Sequence, residues 1–129
     1  MNKDVWIADV LLAGLNDTLG TPETPLIVGG DFNLSETFDA WKGGPRGNRE
    51  YLDRMCAFGL TECLRASRGQ LTPTFRNASN RRVLHQMDHL FVSSSLAGRL
   101  ADCKVGDPTR VFDEDLSDHL PVIADLANR

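Results

Sequence analysis

Three short polar clusters interrupt the apolar pattern of this chain, and their residue types suit one chemistry. Asp31 and Asn33 stand at i and i+2 within LIVGGDFNL, residues 26–34. In an extended or tightly turning segment that spacing aims both side chains to the same side. Asp88 lies in VLHQMDHLFV, flanked by apolar residues. A carboxylate in such a run is expensive to bury unless it is paired. Asp118 and His119 follow Ser117 and open the last apolar stretch. His119 is a natural partner for Asp88, because a carboxylate that holds an imidazole fixes its tautomer and raises its basicity. Carboxylates, an amide and a histidine together suit metal-assisted attack on a phosphoester. The metal takes carboxylate and phosphate oxygens, while amide and imidazole meet the developing negative charge. No Ser or Cys stands in a nucleophile-type turn, so a covalent mechanism has no obvious carrier. Each cluster also has a plainer reading. Gly, Asp and Asn are ordinary turn residues, and a carboxylate at a strand end can be solvated or accept backbone N–H groups.

Strand ends must deliver these side chains. Leu26, Ile27 and Val28 have the composition of a short buried strand. Gly29 and Gly30 are expected to break it, leaving Asp31 and Asn33 at its exit edge, where α/β proteins often place their sites. Phe32 is expected to point the other way, into the core. Helical spacing of Ile7, Val10, Leu11, Gly14 and Leu15 predicts a helix over residues 4–15. Asn48 is a plausible cap for a second helix over 49–58, closed by Gly59. The remaining chain reads as strands at 60–64, 71–76, 83–93, 100–105 and 120–126. They are separated by a basic turn (76–82), a helical turn (96–100) and an acidic loop (107–117). The expectation is an α+β fold: one mixed, mostly antiparallel sheet with two helices on one face.

Composition narrows the class. A length of 129 residues points to one domain, and 41% apolar content is enough for one modest core. The net charge of −4 argues against a general electrostatic clamp on nucleic acid, without excluding a metal-bridged phosphate. Cys56, Cys63 and Cys103 are an odd set without CxxC spacing, which fits reduced cysteines in a cytoplasmic setting. The N-terminal apolar run is too short for a membrane span, so no membrane partner is expected.

GGDFN at 29–33, QMDHLFVS at 86–93 and LSDHLPV at 116–122, in this order and approximate spacing, resemble the endonuclease/exonuclease/phosphatase superfamily, the DNase I-like fold. The match is to its C-terminal half. The resemblance implies that residues 1–129 form a single truncated domain, half of a four-layer sandwich. It implies a metal-dependent phosphoesterase or nuclease with Mg2+ or Mn2+ as cofactor. Asp31 would orient the attacking water or the metal shell, and Asn33 would position the scissile phosphate. Asp88 would hold the catalytic histidine, His119, which acts as base or phosphate stabiliser. Asp118 would be a second metal-associated carboxylate. Arg76 would contact phosphate, although a solvated edge arginine is its plainer reading.

The resemblance also implies a deficit. Folds of this kind commonly need about 200–250 residues. The family's N-terminal half supplies an asparagine, a further histidine and the glutamate that is the main magnesium ligand. Glu23, Glu36, Glu50, Glu62 and Glu114 have no matching context. The sheet face that rests on the missing half would be a bare apolar patch, and the last strand an open edge. Two arrangements answer this: a homodimer covering the exposed face, or a piece of a longer chain. The alternative to an enzyme is a catalytically incomplete, dimeric binding protein that keeps only the half-fold. DNA, RNA, lipid and small phosphoesters are not distinguished by these residues.

Overall fold

The apolar run Leu90, Phe91 and Val92 between Asp88 and Ser93 forms the central strand of a three-stranded sheet, and a core packs on each of its faces. The computed structural model describes residues 7–18, 24–40 and 47–128. The elements in chain order are α1 (Ile7–Thr18), β1 (Ile27–Asp31), a 3-10 turn (Glu36–Ala40), α2 (Asn48–Ala57), β2 (Leu60–Glu62) and α3 (Cys63–Arg68). Then follow β3 (Phe75–Arg76), β4 (Leu84–His85), β5 (Asp88–Ser93), α4 (Ser94–Ala97), β6 (Leu100–Val105), α5 (Pro108–Val111) and β7 (Val122–Leu126).

β5 lies between β1 and β2, antiparallel to both. β3 pairs with β4 and β6 with β7, again antiparallel. Strand periodicity sends Phe91 and Val92 to opposite faces. Phe91 joins Leu12, Leu34, Tyr51, Met55 and Leu60 in one core, against α1 and α2. Val92 joins Cys63, Leu64 and Cys103 in a second core, packed by Leu90, Val122 and Ala124. The fold is α+β and antiparallel throughout its described pairs. The strands form three hydrogen-bonded groups rather than one sheet, and the face opposite α1 and α2 is covered in part by α3 and β6–β7.

Local rules explain the other differences from expectation. The strand expected over 83–93 is two strands, interrupted at Gln86 and Met87, where the backbone bonds to Phe32 and to the Thr74 hydroxyl. The strand expected over 60–64 stops at Glu62, whose carboxylate accepts the N–H groups of Leu64 and Arg65 and so caps α3. Cys63 and Leu64 are both fully buried, and a run that apolar does not distinguish helix from strand. Within the expected acidic loop, Asp107 caps α5, with Pro108 in the first turn. Gly47, in the left-handed region, takes the cap position expected of Asn48. Gly29 and Gly30 do not end their strand; they lie inside β1. A Cβ on Gly29 would meet Leu90 Cδ1 at 2.7 Å, and Gly30 holds a φ of 149° that suits glycine. The expected start of α1 at residues 4–6 and the Gly43–Pro45 loop lie outside the described residues.

All three cysteines are free. Burial pushes the thiols of Cys63 and Cys103 up, to about 11 and about 12, as inert core sulfurs. No described helix is long and apolar enough to cross a membrane. Among the described residues β1 pairs only with β5 and β7 only with β6, so each leaves one edge open.

Candidate active site

The register of β1 on β5 places Asp31 directly opposite Asp88. Like charges in that arrangement destabilise a ladder unless something intervenes. His119 intervenes. Its Nδ1 lies 2.8 Å from Asp88 Oδ2, and its Nε2 lies 3.7 Å from Asp31 Oδ2 and 3.9 Å from Asp118 Oδ1. An ionised carboxylate only accepts, so the Nδ1 that faces Asp88 carries a proton, and Nε2 is presented to Asp31 and Asp118.

The segment bearing His119 is tied at several points. Ser117 Oγ accepts the His119 N–H at 3.0 Å. The Arg76 N–H donates to Asp118 O and the Leu120 N–H to Thr74 O. The Phe75 ring stands against the imidazole at 5.0 Å between centroids. Past the end of β1, Asp31 Oδ1 accepts the Asn33 N–H at 2.9 Å. Asn33 adopts a φ of 52°, a left-handed conformation that asparagine tolerates. Phe32 turns inward onto His89 and Phe91, as the alternation predicts.

Partial burial on its own lowers the pKa of His119. The hydrogen bond to Asp88 and the charges of Asp88, Asp31 and Asp118 outweigh it, so the pKa is raised above the usual histidine value. A raised folded pKa contributes stability that is fully present below the unfolded value, about 6.5, and is lost as pH rises through the folded one. Asp88→Asn removes the largest of the favourable contacts. The melting-temperature gap between wild type and Asp88→Asn is expected to be widest near pH 5–6, about where histidine is charged, and to narrow on going alkaline. A gap independent of pH would contradict this coupling.

Asp31, Asp88 and His119 form one cluster, their ligand atoms all within 4.8 Å of one another. It opens on a cleft of about 470 Å3 whose walls include Ile27, Leu90, Leu120 and Pro121. No family model and no curated protein matches the chain. Solved structures do. A 3′-5′ exonuclease, NExo, from Neisseria meningitidis superposes with a TM-score of 0.78 at 25% identity, over 93% of this chain and 52% of that one. A 3′ phosphatase NExo from Neisseria, bound to a product DNA hairpin, gives 0.77 at 24% identity, over 92% and 51%. An AP endonuclease from Archaeoglobus fulgidus gives 0.76 at 22% identity, over 92% and 51%. The fold is DNase I-like. The chain spans about half the length of the solved structures it matches.

On this DNase I-like half, Asp118 stands at the rim of the cluster and Asn33 on the turn leaving β1. Arg76 is placed differently from a free phosphate contact. Its guanidinium donates to Phe112 O and to Asp113, and lies over the Phe112 ring. What Arg76 gives the site directly is its backbone N–H on Asp118. His85 and His89 serve the frame: Nδ1 of His85 meets the Thr37 hydroxyl, and Nε2 of His89 donates to Leu34 O. Glu36 pairs with Arg49 and Arg65, Glu62 caps α3, and the cluster of described residues contains no glutamate. Asp31 and Asp118 are exposed carboxylates beside one another's histidine partner. Such oxygens fit a hard divalent cation, which is commonly held by one or two carboxylates and keeps several waters.

Two residues that matter here carried no strong signal in the sequence. Thr74 is fully buried, and its hydroxyl accepts the N–H groups of Met87 and Asp88, each at 3.0 Å. Phe75 forms the ring wall behind His119. The hint was that Thr74 to Arg76, in a stretch read as an edge strand, resembles a segment that often lies near the site in the superfamily, with no role attached to Thr74 or Phe75.

Proposed function

We propose that this chain supplies the aspartate–histidine part of a divalent-metal-assisted phosphoesterase site. The observation that carries this reading is His119, fixed by Asp88 at one nitrogen and turned toward Asp31 and Asp118 with the other. Asp31 and Asp118 would hold Mg2+ or Mn2+, which when bound polarises phosphate oxygens and lowers the pKa of water. Asp88 keeps the imidazole in one tautomer. Neutral Nε2 accepts a proton from water oriented by Asp31; protonated, it donates to a phosphoryl oxygen. Asn33, on the same turn, positions the phosphate through its amide. The solved neighbours are an exonuclease, a 3′ phosphatase bound to product DNA and an AP endonuclease, which supports a phosphoester in nucleic acid as the substrate class.

Exposed Ile27 (56%), Leu116 (67%) and Ile123 (43%), with the open edges of β1 and β7, support a second copy as the covering partner. A second reading, a binding protein without chemistry, is supported by the lack of glutamate in the described cluster. One experiment separates them: light scattering at micromolar concentration, then thermal melting of the resulting species with millimolar MgCl2 or MnCl2. Cation at about ten times its Kd stabilises by about 1.4 kcal/mol. In a domain of this size that raises Tm by on the order of 5 °C. The rise is expected in wild type and not in Asp31→Ala. No rise in wild type favours the binding protein, and a single monomeric species rejects the dimer.

A further inference from the structure

We propose that Thr74 is the positioning residue that sets the His119–Asp88 pair, through its hydroxyl. The inference rests on the site just described and adds a residue that never touches substrate. Thr74 meets both members of the pair through the backbone. Its carbonyl accepts the N–H of Leu120, the residue after His119, at 2.7 Å. Its Oγ1 accepts the N–H groups of Met87 and of Asp88 itself. Its own N–H donates to His85 O, which anchors it to β4.

The position of these bonds explains why a hydroxyl is needed. Gln86 and Met87 interrupt what would be one continuous strand, so the Met87 and Asp88 N–H groups face Thr74 and not a ladder carbonyl. Buried backbone N–H groups require an acceptor. A hydroxyl has two acceptor lone pairs, enough for both. With those bonds made, Asp88 enters β5 in the register that places it opposite Asp31 and 2.8 Å from His119 Nδ1. Without them the backbone at Asp88 is free to shift. A displacement of about 1 Å at a catalytic group is enough to cost on the order of 100-fold in rate.

The test uses 15N-detected tautomer analysis of His119 with the ring neutral, on the whole chain, in Thr74→Val and Thr74→Ser. Valine keeps the shape and removes the acceptor; serine restores it. Wild type and Thr74→Ser are expected to show one dominant tautomer with the proton on Nδ1. Thr74→Val, with unchanged circular dichroism, is expected to show a mixture, and on any active species a kcat lowered by about tenfold or more with KM little changed. Where Thr74→Val does not fold, Thr74→Cys, a weaker acceptor of similar size, is expected to give a partial loss. A single Nδ1–H tautomer in folded Thr74→Val or Thr74→Cys, or its loss in Thr74→Ser, overturns the proposal. Because the tautomer is read without turnover, failure of hydrolysis leaves this result intact and decidable.

Discussion

His119→Ala is expected to lower the proposed metal-dependent phosphoester hydrolysis by about 10²–10⁴-fold, the range typical of a positioned acid–base group. The expected loss is in kcat, because Asp31, Asp118 and Asn33, the groups proposed to hold cation and phosphate, remain. Asp31→Ala is expected to lose as much, with the metal dependence itself weakened. The geometry makes a further demand on interpretation. Removing the imidazole leaves Asp31 facing Asp88 across the β1–β5 ladder without a counter-group. His119→Gln, which fills the space and offers an amide donor, separates loss of acid–base function from this repulsion. A bis(p-nitrophenyl) phosphate assay with MnCl2 reads both variants. Activity unchanged in His119→Ala and Asp31→Ala would remove these residues from the reaction.

Phe91→Ala is expected to cost about 3–5 kcal/mol, the usual result of truncating a fully buried aromatic. Phe91 is 0% exposed and lies among Leu12, Leu34, Tyr51 and Met55, with the Phe32 ring 5.8 Å away. Domains of this kind are stable by about 5–15 kcal/mol, so much of the total is at stake. The site suffers with the core, because Phe91 is three residues from Asp88 on the same strand. Urea denaturation gives the number. Ile123→Ala, on an exposed side chain, is the control and is expected to stay within about 0.5 kcal/mol unless that face is covered by a second copy. A cost under about 1 kcal/mol at Phe91 would mean that the α1–α2 core is not what holds β5.

The meeting of the polar residues was more legible in the sequence than the frame. Asp31, Asp88 and His119 were recognisable because a carboxylate or a histidine beside an apolar strand needs a reason to be there, and their mutual contacts supply it. The inward turn of Phe32 followed from period two alone. The elements that failed did so where two rules compete. Cys63 and Leu64 read as the end of a strand, although so short an apolar run fits a helix as well, and the cap at Glu62 decides for the helix. Residues 83–93 read as one strand because Gln86 and Met87 carry no turn signal; the N–H groups of Met87 and Asp88 go to the side chain of Thr74, more than a dozen residues earlier. Arg76 looked available as an edge arginine because neither Asp113 nor Phe112 is near it in the chain. Long-range side-chain contacts of this sort have no local signature.

The crowding of acidic groups around one imidazole also governs how anything reaches the site. Asp31, Asp88 and Asp118 outnumber His119 in a chain whose net charge is already −4. The local field therefore slows the approach of a phosphate anion and speeds that of a divalent cation. Basic nucleic-acid binders lose affinity as salt is added, because counterions are released from the polyanion. At this mouth, without a divalent cation, added monovalent salt screens a repulsion and raises the rate of anion encounter. A seated divalent cation would balance most of the three carboxylate charges, and that salt effect would shrink. At a site that takes both, a cluster of this charge would favour cation before phosphate, through diffusion and charge alone.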